Sequence, residues 1–180
     1  MAVQKKREQA YVDRRFGFEV ILVDVPMKQV RGESVPDINA NHLRTAVLAG
    51  LTTKPGPLSG VEVRFVRHWM EHTTTEFGEL LGVTHAAVIK WEKKGPQSTG
   101  MNRATEFRLR LLILKRLPES VQMQLVDAQQ EKQANDPELR HLFGLLEDLW
   151  REASTEIHGS EPIRIPPELI AQQSLRALRR

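Results

Sequence analysis

The apolar positions change texture along the chain, and each texture predicts a different element. From Phe18 to Val25 the run FEVILVDV is β-branched and nearly unbroken, which predicts a strand. Pro26, Met27 and Lys28 are placed to turn it into a second extended run, Gln29 to Val35, closed by Pro36, so a short β-ribbon is expected. From about Asn39 to Leu51 the spacing becomes helical, with Leu43, Val47, Leu48 and Leu51 on one stripe and Asn39 or Asn41 as cap. The breaker cluster Thr52-Thr53-Lys54-Pro55-Gly56-Pro57 ends that helix and is the best candidate domain boundary. Residues 1–16 are polar and basic and read as a flexible N-terminus.

Past the breakers every apolar pattern is helical. A helix from about Ser59 to Met70 buries Val63, Val66 or Phe65, and Met70, with Arg64 and Arg67 along it. Gly95 to Gly100 is a loop, and a strong helix spans about Asn102 to Leu117, where Phe107, Leu111 and Leu114 make the stripe and Leu109, Leu112 and Ile113 broaden it. Pro118 breaks it. Further helices are expected over about 119–133 and 136–153, the latter capped by Asp136. Residues 161–166 are extended, with a strand as one option, and a short helix over about 167–178 closes the chain. The fold expected is mostly α with a small N-terminal β-ribbon, an α+β arrangement, with a helical C-terminal extension over 118–180.

The stretch Gly60 to Gly95 organises the rest. Leu80, Leu81 and Val83 bracket Gly82, which can take the positive φ of a tight turn, while Phe77, Val88 and Trp91 supply inward faces. Two short helices should cross over one small core. The second opens at Thr84, a hydroxyl cap, and presents His85, Ala86, Ile89, Lys90 and Lys93 outward. Such a face can enter a major groove, although a generic helical hairpin would share the pattern.

At these residues the segment resembles the Xre or lambda-repressor type of helix-turn-helix. In that family an arginine of the first helix pairs with a glutamate just after the recognition helix, and Arg67 and Glu92 hold those positions. Thr74 stands where a glutamine usually opens the second helix, Gly78 is the small residue inside it, and His85, Ala86 and Ala87 replace the usual glutamines or serines. Those departures leave fewer bidentate hydrogen bonds for base edges. A longer resemblance, over about residues 17–116, is to the MqsA-type antitoxin and regulator family. Its signature stands here as Lys54, Pro55, Leu58, Gly60, Glu62, Val63, Arg64, Phe65, Val66 and Arg67. Many members carry paired CxxC zinc motifs, which this chain lacks. The resemblance implies a dimeric, often autoregulating repressor, frequently an antitoxin whose N-terminal part neutralises a toxin.

Composition narrows the alternatives. With 40% apolar residues and 27% charged ones, 180 residues can bury a proper core. No run approaches the roughly 18 apolar residues of a membrane span, and MAVQKKREQAYVDRR has no secretory apolar segment, so a cytoplasmic location is expected. The lack of cysteine removes disulfides, iron–sulfur clusters, thiol catalysis and cysteine-ligated zinc. Net charge is only +3, yet residues 90–117 carry +6 and residues 118–160 carry −6. A basic block that begins inside the presumptive recognition helix is the footprint expected of phosphate contacts.

The binding labour divides accordingly. Thr74, Lys93, Lys94 and Arg103 are expected to hold phosphates, Lys90 and His85 to read base edges, and Ala86 and Ile89 to meet thymine methyls. Gly82, Val88, Trp91 and the Arg67–Glu92 pair are assigned to structure. One such module buries only about 600 to 1,000 Å² on DNA, so a homodimer on a palindromic operator of double-stranded DNA is expected, with the leucine-rich helices of residues 102–153 as interface. A monomeric helical bundle and a protein-interaction module with a vestigial helix-turn-helix are the alternatives. His68-Trp69-Met70-Glu71-His72 matches the H-x-x-E-H pattern of inverted zinc peptidases, but the helix should be ending there. A regulator without catalysis, metal or cofactor is the expectation, with a cognate toxin as a further candidate partner.

Overall fold

The computed structural model describes residues 7–132 and 162–165. Among them the fold is α+β: four strands in one sheet and six helices. The chain divides into two compact units, Met1–Gly50 with Pro162–Arg180, and Leu51–Glu161.

In the first unit, β1 (Arg7–Asp13) runs antiparallel to β2 (Val20–Val30), pairing Asp13 with Val20 and Tyr11 with Leu22. Residues 7–13 are thus a paired strand where a flexible start was expected. The turn after β1 is fastened by Asp13, which is buried and accepts from the Arg15 backbone N–H at 2.9 Å and its guanidinium at 2.6 Å. Val20, Leu22, Val25 and Met27 are buried, an alternation that slips by one at Asp24, whose φ is +50°. The turn expected at Pro26 to Lys28 lies later. Pro26 sits inside β2, its carbonyl accepting the Asp37 N–H at 2.7 Å, and the reversal is made by Arg31 and Gly32 at φ +52° and +86°. Two consecutive positive-φ residues make the two-residue turn that matches strand twist, so β3 (Glu33–Pro36) pairs Glu33 with Val30.

The C-terminal segment also belongs here. Ile163–Ile165 forms β4, parallel to β2 and pairing Val20 with Ile163, where β3 does not reach. Its two isoleucines are buried and lie against Gly50 of α1 (Ala40–Thr53). The segment expected as extended, with a strand as one option, within an otherwise helical C-terminal extension is thus a strand of the N-terminal sheet. Asn39 is the cap of α1, its side-chain oxygen accepting the Asn41 and His42 N–H groups at 2.9 and 3.3 Å.

The second unit contains α2 (Gly60–Trp69), α3 (Thr74–Leu81), α4 (His85–Glu92), α5 (Arg103–Arg116) and α6 (Glu119–Lys132). Leu58, Val63, Val66, Phe77, Val88, Leu109, Ile113 and Leu114 are its core. The helices expected over 136–153 and 167–178, and with them much of the proposed dimer interface, lie outside the described residues.

In the breaker cluster Thr52, Lys54 and Gly56 are buried and Pro55 is exposed. The division between the units falls inside α1, at Gly50, and the segment after it is sewn into the second unit by charge. Arg110 donates to the carbonyls of Lys54 at 2.8 Å, Gly56 at 2.7 Å and Thr52 at 3.3 Å, and to Glu106 Oε1 at 2.9 Å. Glu106 also accepts the Leu58 N–H at 3.0 Å. Lys54 Nζ meets both oxygens of Glu62 at 2.8 and 2.9 Å, and Glu62 accepts the Ser59 N–H at 2.7 Å, closing a capping box at the start of α2. All four charged side chains are at most 3% exposed, so each charge must be matched inside the protein. Burial pushes the Glu106 carboxyl above the usual glutamate range, against the opposing pull of Arg110, the Leu58 N–H and Lys54. The i,i+4 pair also sets the roll of α5: the buried face runs through Glu106, Leu109, Arg110, Ile113 and Leu114, and Phe107 and Leu111, expected on the stripe, are only half-buried.

The entry to α2 is equally tight. The Gly60 and Val61 N–H groups donate to the carbonyls of Gln97 and Gly95 at 3.1 and 2.9 Å. A Cβ on Gly60 would stand 2.3 Å from the Trp91 carbonyl oxygen, so only glycine lets α2 meet the end of α4. Gly60→Ala is expected to lower stability by about 1–3 kcal/mol through forced separation of the two helices; an unchanged thermal midpoint would show that the contact is slack. Arg110→Met, which strands Glu106 and three carbonyls, is expected to lose about 3–5 kcal/mol in urea unfolding. A midpoint equal to that of the native chain would mean that the network contributes nothing.

Candidate nucleic-acid interface

The candidate surface is built on α3, a three-residue turn and α4. α3 begins at Thr73, whose hydroxyl accepts the Glu76 N–H at 3.2 Å while the Glu76 carboxylate accepts the Thr73 N–H at 2.7 Å. Those bonds from Thr73, backbone first, hold the Glu76 carboxyl below the usual glutamate range. Thr74, expected to hold phosphate at this helix start, is the first helical residue and half-buried, and the cap is its neighbour. The signature T-x-x-E over Thr73–Glu76 is readable in the sequence as a capping box. It also sets a carboxylate beside the end of α3, which weakens that end as an anion site.

Gly82 ends α3 at φ +72° and ψ +33°, and the Val83 N–H returns to the Gly78 carbonyl at 2.8 Å. This is the left-handed termination that glycine makes without steric penalty. Thr84 then caps α4, its hydroxyl accepting the Ala87 N–H at 3.3 Å. α4 has eight residues, too few to be stable alone, and is held by its buried side: Val88 at 0% exposure, Trp91 at 8% and Glu92 at 7%.

Its other side faces outward. Thr84, His85, Ala86, Lys90, Lys93 and Lys94 are exposed and Ile89 is half-buried; Ala86, Ile89, Lys90, Lys93 and Lys94 together line one shallow, open concavity. Apolar methyls form part of this surface and three ammonium groups flank them. Among the described residues, none of Lys90, Lys93, Lys94 and Arg103 has a carboxylate within ion-pair distance. Arg103 is exposed in the first turn of α5, after the Asn102 cap. Unpaired surface cations next to small apolar groups suit a polyanion whose floor carries methyls, and a helix about 10–12 Å across fits a major groove about 12 Å wide.

Behind this face lies the expected pair. Arg67 Nε and Nη2 donate to the two Glu92 oxygens at 2.6 and 3.0 Å, and Arg67 Nη1 donates to the His72 carbonyl at 2.9 Å. One guanidinium therefore ties α2 to the end of α4 and to the turn before α3. Arg64, not singled out for this site from the sequence, adds a third bond, Nε to Glu92 Oε2 at 3.3 Å. Its place one helical turn before Arg67 was the available signal.

The H-x-x-E-H residues do not share a helical face. α2 stops at Trp69, Met70 is its C-cap, and Glu71 has φ +58°, so His68 and His72 are not one helical turn apart. His68 Nε2 lies 3.3 Å from Arg67 Nη2 and His72 Nε2 lies 3.2 Å from Arg116 Nη2. Among the described residues no three of His, Asp or Glu are grouped to hold a metal.

No protein-family model, curated protein or solved structure matches this chain.

The Glu92 carboxyl links the frame to pH. Burial pushes its pKa up, but the hydrogen bonds and charge of Arg67, with Arg64 adding, outweigh burial and hold it below the ordinary 4.5. A carboxyl more acidic in the folded than in the unfolded chain contributes stability above that value, and loses it as pH falls through the lower folded value. Glu92→Gln is expected to be less stable by about 3 kcal/mol at pH 7, because it leaves the buried Arg67 charge uncompensated. The gap should close below pH 4.5 as native Glu92 takes up its proton. Urea unfolding from pH 7 to pH 3 measures this, and a gap independent of pH would show that the carboxylate's charge carries none of it.

Proposed function

We propose that this chain is a sequence-specific regulator that binds double-stranded DNA through α3 and α4 as a helix-turn-helix of the Xre, lambda-repressor type, acting as a repressor. The observation that carries this reading is the split character of α4: a capped, eight-residue helix anchored by Val88 and Trp91 turns unpaired Lys90, Lys93 and Lys94 to solvent. An internal helix of a bundle has no use for such a face. Lys93, Lys94 and Arg103 hold backbone phosphates, Lys90 and His85 reach base edges, and Ala86 and Ile89 meet thymine methyls. Thr84 supports this face as the cap. A single module of this size binds weakly, so a homodimer on two half-sites about 34–36 Å apart completes the proposal. Autoregulation and a cognate toxin partner belong to the same reading, through the resemblance over residues 17–116.

A protein-interaction module is the second reading, favoured by the concavity's apolar contribution from Ala86 and Ile89 and its lack of amide side chains. Titrating DNA from upstream of the coding sequence against random duplex, over roughly 50 to 200 mM salt, separates the two. Contacts to six to ten phosphates predict an affinity loss of about 10³ to 10⁵ over that range. Lys90→Ala is expected to weaken the preferred duplex by about 1–3 kcal/mol and random duplex much less. Equal effects on both duplexes would remove Lys90 from base reading, and no binding at low salt would favour the interaction module.

A further inference from the structure

We infer that Arg64 is a phosphate-binding residue of the α4 interface, held in position by the buried carboxylate of Glu92. This rests on the reading of α4 as the DNA-facing helix. The Glu92 side chain is 5% exposed and both of its oxygens already accept from Arg67, at 2.6 and 3.0 Å. It does not need a second arginine to be satisfied. Arg64 nevertheless joins it through a single bond from Nε to Oε2 at 3.3 Å, while its own side chain is 58% exposed.

Two guanidiniums share one carboxylate, so one positive charge is left over. It is not on Arg67, whose side chain is 12% exposed and whose Nη1 is taken by the His72 carbonyl. It is carried to solvent by Arg64. Among the described residues the Nη1 and Nη2 atoms of Arg64 have no hydrogen-bond partner. That end of a planar fork offers two parallel N–H donors, the arrangement that grips two oxygens of one phosphate. With Nε tethered, the guanidinium is oriented before any ligand arrives, which lowers the ordering penalty of the contact. The location agrees: Glu92 is the last residue of α4 and is followed by exposed Lys93 and Lys94. Arg64 is thus bonded to the residue that immediately precedes these cations, and a helix seated in a major groove brings such an end beside the phosphates of the groove wall.

The test uses the full chain, duplex from upstream of the coding sequence and mixed-sequence duplex, titrated from roughly 50 to 200 mM salt. Arg64→Gln is expected to make the slope of log affinity against log salt shallower by about 0.9, one phosphate's share. Over that fourfold salt range the native chain then loses roughly three- to fourfold more affinity than the variant. Both duplexes should respond alike, since phosphates carry no sequence, and the urea midpoint should stay near the native value. Arg64→Lys, which keeps the charge, should restore most of the slope and guards against a Gln variant that folds poorly. A native slope in Arg64→Gln while Lys93→Ala loses slope would overturn this inference alone. Unequal effects on the two duplexes would also overturn it, by making Arg64 a base reader. If the native chain shows no salt-dependent duplex binding, the α4 reading and this inference fall together.

Discussion

Two buried ion pairs, Lys54 with Glu62 and Glu106 with Arg110, hold the second unit in its shape. Charges this deep in protein are costly to desolvate and are tolerated only when geometry returns the loss through close pairing and further hydrogen bonds. Here the further bonds go to backbone: Arg110 takes carbonyls from Thr52, Lys54 and Gly56, and Glu106 takes the Leu58 N–H. A loop with two prolines and a glycine has few ways to satisfy its own polar groups. The arginine does it from outside, so Lys54 and Gly56 can be buried without the loop forming a helix or strand. The same network delivers Ser59 and Glu62 to the N-terminus of α2, and α2 is the element against which α4 is aligned.

A chain of positions runs from that network to the candidate surface. Gly60 admits α2 to the carbonyl of Trp91, Arg67 reaches from α2 to Glu92, and Val88 and Trp91 fill the space between. The outward side chains of α4 take no part in any of these contacts. The two kinds of acid also respond oppositely to pH. Glu92, with its pKa lowered, favours the fold above the ordinary glutamate value; Glu106, with its pKa raised, favours it below that value and loses that contribution as pH rises through the raised one. The difference follows from donors: Glu92 faces two arginines with one partly in water, whereas Glu106 is enclosed and pairs with one.

Local chemistry was legible in the sequence and long-range chemistry was not. The Gly82 turn, the Thr84 cap and the limits of α2, α4 and α5 follow from propensity, capping and spacing, each settled within a few turns of helix, whereas the Arg67–Glu92 pair, 25 residues apart, was expected only through the resemblance to the Xre type. Thr74 was singled out because it stands where the resembled family opens this helix with glutamine; of the three consecutive threonines only Thr73 has Glu76 three residues on, which marks it as the cap. The buried charges were missed for a deeper reason. Lys54–Glu62 and Glu106–Arg110 are close in sequence and read as solvated pairs; what buries Glu106 and Arg110 is backbone 48 to 58 residues away. The roll assigned to α5 erred with them, since a stripe drawn through Phe107 and Leu111 assumes that Glu106 and Arg110 face water. Strand β4 was visible as an extended IRI, but nothing local says that it returns to Val20 across the whole chain.

The shortness of α4 is what makes its surface interpretable. An eight-residue helix gains too little from its own hydrogen bonds to persist, so its existence is a statement about its buried side and its cap. None of the residues that hold it, from Thr84 through Val88 and Trp91 to Glu92, lines the concavity of Ala86, Ile89 and the three lysines. The fold therefore places no demand on the identity of the outward residues. Three lysines clustered on one helix end repel one another, and a surface free of demands would more economically carry mixed charge. Their concentration where the frame is indifferent is what supports the proposed reading of an anionic ligand.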